Sequence, residues 1–145
     1  MSARIFVDTN IWLYSLIQTS EEDTRHQIAA TFLEKIERPV ISTQVIREAT
    51  HNLIKKARMQ EDLIRALISS WYQDCVVQDS SEVQFLLASR LRGLYSLSYW
   101  DSLIVAAALD ANCATLYSED MQDGQIIDGK MIILNPFVHA RKLFD

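Results

Sequence analysis

The chain has 145 residues, 49% hydrophobic and 23% charged, with three glycines and two prolines. That profile is an ordinary globular one, long enough for a sizeable core in one domain over residues 1–145, and it excludes long flexible linkers. Net charge is −5 and the pI about 5.1, which on average disfavours a nucleic-acid partner, although acids clustered around a cation reverse the local field.

Apolar runs alternate between short and long. Arg4–Val7 reads as a buried strand, and Ile11–Ile17 as an apolar helix with Thr9 or Asn10 as its cap. Glu22–Glu37 carries a helical stripe of Ile28, Phe32, Leu33 and Ile36. Pro39–Ile41 is a second short strand, with proline at its first position. Ser42 or Thr43 then caps a long helix reaching about Arg58, and another helix spans Glu61–Gln73. Cys75–Gln78 is a third strand. Ser81–Leu91 is helical and Gly93 is expected to end it. Ser98–Ala111 has no charge between Asp101 and Asp110, the mark of a helix buried on most sides. Ala114–Tyr117 and Met131–Leu134 complete five strands. Strands alternating with helices imply parallel pairing with helices on both faces, and ligands beyond the carboxyl ends of the strands.

Four carboxylates sit at or close to these strand–helix junctions: Asp8, Glu48, Asp101 and Asp120. A carboxylate at the edge of a core is costly unless its charge is compensated. Several at one sheet edge point to a divalent ion, and oxygen ligands suit Mg²⁺ or Mn²⁺. Each also has a plain alternative. Asp8 could build an N-cap or Asx turn, although Thr9 and Asn10 are capable caps beside it. Glu48 could be a solvated helix glutamate on the border of the stripe Val45, Ile46, Ala49 and Leu53. Ser98-x-x-Asp101 resembles a capping box, yet Asp101 shares its face with Ile104, Val105 and Ala108. Asp120 could belong to a loop, with Glu119 as the competing ligand.

Other chemistries find less support. Cys75 and Cys113 form no CxxC pair and read as buried reduced thiols. His26, His51 and His139 are scattered, which excludes the usual zinc patterns. No apolar run reaches membrane-spanning length, and the first residues lack a signal-peptide layout, so a cytoplasmic protein is expected. Lys55, Lys56 and Arg58 form one basic run without acids, and Arg90 and Arg92 another. They are either solvated helix faces or contacts for a polyanion.

The order and context of the acids resemble the PIN-domain family, in particular the VapC-type toxins of toxin–antitoxin pairs, over nearly the whole chain. The matching motifs are Phe6-Val7-Asp8-Thr9-Asn10, Arg47-Glu48, Tyr99-Trp100-Asp101-Ser102-Leu103-Ile104 and Tyr117-Ser118-Glu119-Asp120-Met121. The resemblance implies a three-layer α/β/α sandwich with a mainly parallel sheet and a Mg²⁺- or Mn²⁺-dependent endoribonuclease. Asp8, Glu48, Asp101 and Asp120 would be its catalytic and metal-binding quartet, with Asn10 and Ser118 in support. Where some members carry a further acid, this chain has Gln122, followed by Asp123, which puts a second metal site in doubt. The implied partners are an RNA substrate and a small antitoxin protein; if the basic residues Lys55, Lys56, Arg58, Arg90 and Arg92 flank the site, they are expected to hold the RNA phosphates. No membrane is involved, and a homodimer is admitted.

Two rivals remain. A metal-dependent phosphatase of the haloacid-dehalogenase type would need an aspartate two residues after its nucleophile, where this chain has Asn10. A non-catalytic protein- or RNA-binding module would use an apolar face built from Trp12, Tyr14, Phe32 and Trp71.

Overall fold

The computed structural model describes residues 3–18, 20 and 23–139. In chain order its elements are β1 (Arg4–Val7), α1 (Thr9–Leu16), α2 (Arg25–Glu34), β2 (Val40–Ser42), α3 (Thr43–Ala57), α4 (Glu61–Asp74), β3 (Val76–Gln78), α5 (Glu82–Leu94), α6 (Tyr99–Asp110), β4 (Cys113–Tyr117), β5 (Ile126–Ile127) and β6 (Met131–Leu134). Among the described residues the strands form one sheet in the order β3-β2-β1-β4-β6-β5. Pairing is parallel except for β5, which runs antiparallel to β6. The expected mainly parallel α/β/α architecture is the one observed.

Alternation along β1 distributes the core between the two faces of the sheet. Phe6 joins Val45, Ala49, Leu91, Ile104 and Val105 in the larger core, which brings together α3, α5 and α6. Its neighbour Val7 joins Ile11, Ala29 and Phe32 from α1 and α2. Ile104 to Ala108 are buried without a break, so α6 is apolar on nearly all sides, as its charge-free run predicts. Cys75 and Cys113 are buried free thiols.

Several element ends are off by a residue, β2 among them, which begins at Val40 and leaves Pro39 outside the strand, and four differences are larger. Helix α1 begins at Thr9, and its cap is Asp8, whose carboxylate accepts the Thr9 N–H at 2.7 Å; neither Thr9 nor Asn10 plays that part. Helix α2 is shorter than expected at its C-terminal end, and Glu22, its expected start, lies outside the described residues. Gly93 does not end α5: the helix passes through it to Leu94 and closes with the Tyr95 N–H on the Leu91 carbonyl. Strand β5 has no counterpart among the five expected strands. It is returned onto β6 by Asp128 and Gly129, both with positive φ (54° and 64°).

The topology fixes where a site can form. From β1 the chain proceeds to β2 on one side, while β4 pairs on the other, so the order reverses at the β1/β4 junction. A crevice opens beyond the carboxyl ends of strands at such a junction. Val7 is in register with Tyr117 and Tyr117 with Leu134. Asp8 and Ser118 therefore emerge side by side, with the Asp8 N–H on the Tyr117 carbonyl at 3.0 Å.

Candidate active site

Each of the four predicted acids reaches this edge by a different local route. Asp8 is the residue between β1 and α1. Glu48 lies in the second turn of α3, which begins directly after β2, where the Ser42 hydroxyl accepts the Val45 N–H. Asp101 stands in the first turn of α6, and its N–H is capped by the Ser98 hydroxyl at 3.1 Å. Helix α6 leads into a parallel strand, so its start lies at the carboxyl edge of the sheet. Asp120 follows β4 by three residues.

The side chains interlock through neutral donors. Asp8 accepts the Ser118 hydroxyl at 2.8 Å in addition to the Thr9 N–H, and is itself buried. The Ser118 oxygen also accepts the Asp120 N–H at 3.3 Å, which ties the first acid to the fourth. The Thr9 hydroxyl donates to one Glu48 oxygen at 2.9 Å, and the Gln44 amide donates to the other at 2.8 Å. The Asn10 amide donates to Asp120. Glu119, the competing ligand, turns away: it accepts the Tyr14 hydroxyl at 2.7 Å and lies 3.9 Å from the Arg25 guanidinium. Asp123 also faces elsewhere, toward the Asn135 N–H and His139. Gln122, in contrast, lines a cleft of about 340 Å³ together with Asp101 and Asp120.

The electrostatics are those of uncompensated acids. Burial pushes Asp8 up to about 6, against the lowering effect of the Thr9 N–H and the Ser118 hydroxyl, and the charges of Glu48 and Asp120 add to the rise. Asp101 is raised by burial and then by Glu48. Asp120 is raised by burial, then by Asp101, Glu119 and Glu48. The four acids thus act on one another electrostatically.

The donor set fits a hard divalent ion: all oxygen, carboxylate-rich, and destabilised by like charge that a cation would relieve. Among the described residues, no three His, Cys, Asp or Glu side chains lie close enough as they stand to enclose an ion. Coordination by three of them would require their side chains to draw closer together.

The basic residues separate into distinct settings. Lys55 and Lys56 are exposed in the last turn of α3, and Arg58 caps it with a left-handed backbone. Arg90 is not acid-free in space, because it forms an ion pair with Asp128. Arg92 donates to the Ser102 hydroxyl at 2.7 Å and packs over the Tyr99 ring. Of the aromatic residues expected on a docking face, Phe32 and Trp71 are core, at 3% and 2% exposure. Trp12 and Tyr14 are half-buried. Sequence reasoning passed over Gln44 and gave Thr9 only a capping role. Gln44 was detectable as the residue one turn before Glu48.

A family model described as "PIN domain" matches residues 5–122. No curated protein matches the chain in sequence. A toxin–antitoxin complex from Klebsiella pneumoniae is similar in structure at a TM-score of 0.68 and 19% identity, over 92% of this chain and 98% of that one. VapC20 of Mycobacterium tuberculosis, described as a toxin that cleaves the sarcin–ricin loop, aligns at 0.62 and 18% identity over 80% and 91%. VapBC2 of Rickettsia felis, bound to a DNA fragment from its promoter, aligns at 0.61 and 18% identity over 90% and 97%. At these identities the likeness establishes the fold.

Proposed function

The chain belongs to the PIN-domain family, and from that premise we propose that it is a Mg²⁺- or Mn²⁺-dependent endoribonuclease, the toxin of a type II toxin–antitoxin pair. The observation that carries this reading is that Asp8, Glu48, Asp101 and Asp120 come from four separate segments of the chain, two connections and two helices, at or near the strand ends where the sheet order reverses. The descriptions of two structural relatives, one as a toxin–antitoxin complex and one as an RNA-loop-cleaving toxin, support it.

The four acids would hold the metal, and a bound divalent ion supplies activation of water and neutralisation of charge on the scissile phosphate and leaving oxygen. The chain's own residues prepare for this. Ser118 orients Asp8, Thr9 and Gln44 orient Glu48, and Asn10 orients Asp120. One of the carboxylates accepts the proton of the attacking water. In this reading Lys55, Lys56, Arg58 and Arg92 hold phosphates without entering the chemistry. Arg90 contributes less, because Asp128 already neutralises it.

An antitoxin would cover α1 and α2. A groove of about 300 Å³ lies there, lined by Trp12, Leu16, Leu33, Ile36, Leu67 and Trp71 among others. The indole N–H of Trp71 is buried with no acceptor among the described residues. A basic side chain from the same partner, inserted beside Asp8 or Asp120, would take the place of the metal charge. The proposed setting is the cytoplasm, where such RNA and such a partner are found. Among the described residues no helix is long and apolar enough to cross a membrane.

The test is cleavage of structured and unstructured RNA with Mg²⁺, with Mn²⁺ and with EDTA, using the wild type and Asp101→Asn. Metal-dependent cleavage by the wild type alone is expected. Cleavage that persists in EDTA, or full activity of the variant, overturns the proposal.

A further inference from the structure

A cleft of about 570 Å³ borders Glu48, and its lining has two chemistries. One wall is aromatic: Phe85 of α5 with Tyr99 and Trp100 of α6, exposed by 49%, 50% and 63%. The other wall is cationic and polar, with Arg47 and His51 one turn apart on α3. Large aromatic side chains left this open are an unusual cost for a surface, and here they line a concave site instead of standing singly.

The aromatic wall is braced. Tyr99 lies between the Arg92 guanidinium, 4.9 Å from its ring centroid, and the Trp100 ring, 5.1 Å away and nearly perpendicular. The Gln44 amide donates both to Glu48, at 2.8 Å, and to the Trp100 carbonyl, at 3.3 Å. One side chain therefore links the position of an acid to that of the aromatic shelf. A second cleft is lined by Asp101 and Asp120 with Ser96, Gln122 and Gln125.

We infer that the aromatic cleft seats an unpaired base of the RNA substrate, stacked on Trp100, one step from the phosphate to be cut. This rests on the ribonuclease reading and adds to it a base-stacking subsite built on Trp100. A base in a duplex already has its faces stacked, so the shelf selects an unpaired one. Arg47 complements the phosphate charge of that occupant. A second copy of this chain would match the aromatic wall, but its pairing would leave the cationic wall unanswered.

The experiment uses the full chain in EDTA, which separates binding from cleavage, and a fluorescein-labelled single-stranded RNA hexamer. Wild type, Trp100→Phe and Trp100→Ala are compared by anisotropy, and tryptophan emission is followed with unlabelled RNA. Trp71 is buried and Trp12 half-buried, so quenching on binding reports Trp100. The expected result is quenching in the wild type, binding without quenching in Trp100→Phe, and binding about tenfold weaker in Trp100→Ala. A blunt duplex of the same sequence should quench little. Trp100 is exposed, so the variants should melt within about 2 °C of the wild type. Unchanged binding by Trp100→Ala, with the wild type still cutting RNA, overturns the subsite alone. A wild type that neither binds nor cuts RNA overturns the ribonuclease reading with it. A shift from dimer to monomer in sedimentation of Trp100→Ala, at unchanged RNA affinity, assigns the face to self-association and also overturns the subsite.

Discussion

Replacing Asp8 by Asn should stabilise the metal-free protein, and by an amount that depends on pH in a known direction. The folded chain holds the Asp8 proton with a pKa of about 6, against an ordinary value of 3.8. A raised acid contributes stability that is complete below the unfolded value and is lost as pH rises through the folded one. The gap between 3.8 and about 6, at about 1.4 kcal/mol per pH unit, makes the ionised side chain cost roughly 3 kcal/mol at pH 8. An asparagine carbonyl can still accept the Thr9 N–H, and its amide can donate to the Ser118 oxygen. The Ser118 proton then loses its carboxylate acceptor, which returns about 1 kcal/mol. The net gain is about 2 kcal/mol, or about 4–8 °C in melting temperature for a chain of this size. At pH 4 the wild-type carboxyl is already protonated when folded, and the gain should shrink to less than about 1 kcal/mol. Differential scanning calorimetry in EDTA at both pH values reads this directly. A variant that melts below the wild type at pH 8, or a difference that ignores pH, would refute the account of Asp8 as an uncompensated buried charge.

Millimolar Mn²⁺ added after EDTA treatment should raise the wild-type melting temperature and move Asp8→Asn much less, because the ion binds the native acids preferentially; no shift in the wild type counts against the metal. Lys55→Ala with Lys56→Ala should weaken RNA binding and lower the salt slope by about 1.4 for two lost phosphate contacts, measured by anisotropy at several ionic strengths, whereas an unchanged slope returns both lysines to a solvated helix face. Thr9→Val removes the hydroxyl that holds Glu48; cleavage should fall by about tenfold or more with the melting temperature little changed, and wild-type turnover would deny Thr9 a positioning role. Induced expression of the chain should arrest growth, whereas expression of Asp8→Asn, or of the chain with its neighbouring reading frame, should not; equal growth in all three removes the case for a toxin.

Sequence alone determined which residues carry charge at the strand ends and the alternation of elements that puts them there. Apolar runs of the lengths seen at Arg4–Val7 and Tyr99–Asp110 have few alternatives, because their periodicity is set by local backbone geometry. The caps at Ser42 and Ser98 are likewise local, each hydroxyl reaching a backbone N–H three residues on. The hairpin that creates β5 left a local trace in Asp128-Gly129, but two residues of strand carry no periodicity of their own. Gly93 misled because a glycine ends a helix only where the backbone turns left-handed, and nothing local says whether it will. The residues around Glu119 and Asp120 do not by themselves say which turns away, and the resemblance alone favoured Asp120: Tyr14 and Arg25 claim Glu119, and both come from the far end of the chain. The same holds for the bond from Thr9 to Glu48 and for the bridge from Gln44 to Trp100. These contacts join residues 39 to 105 positions apart, and they depend on strand register and helix packing, which only the assembled core sets.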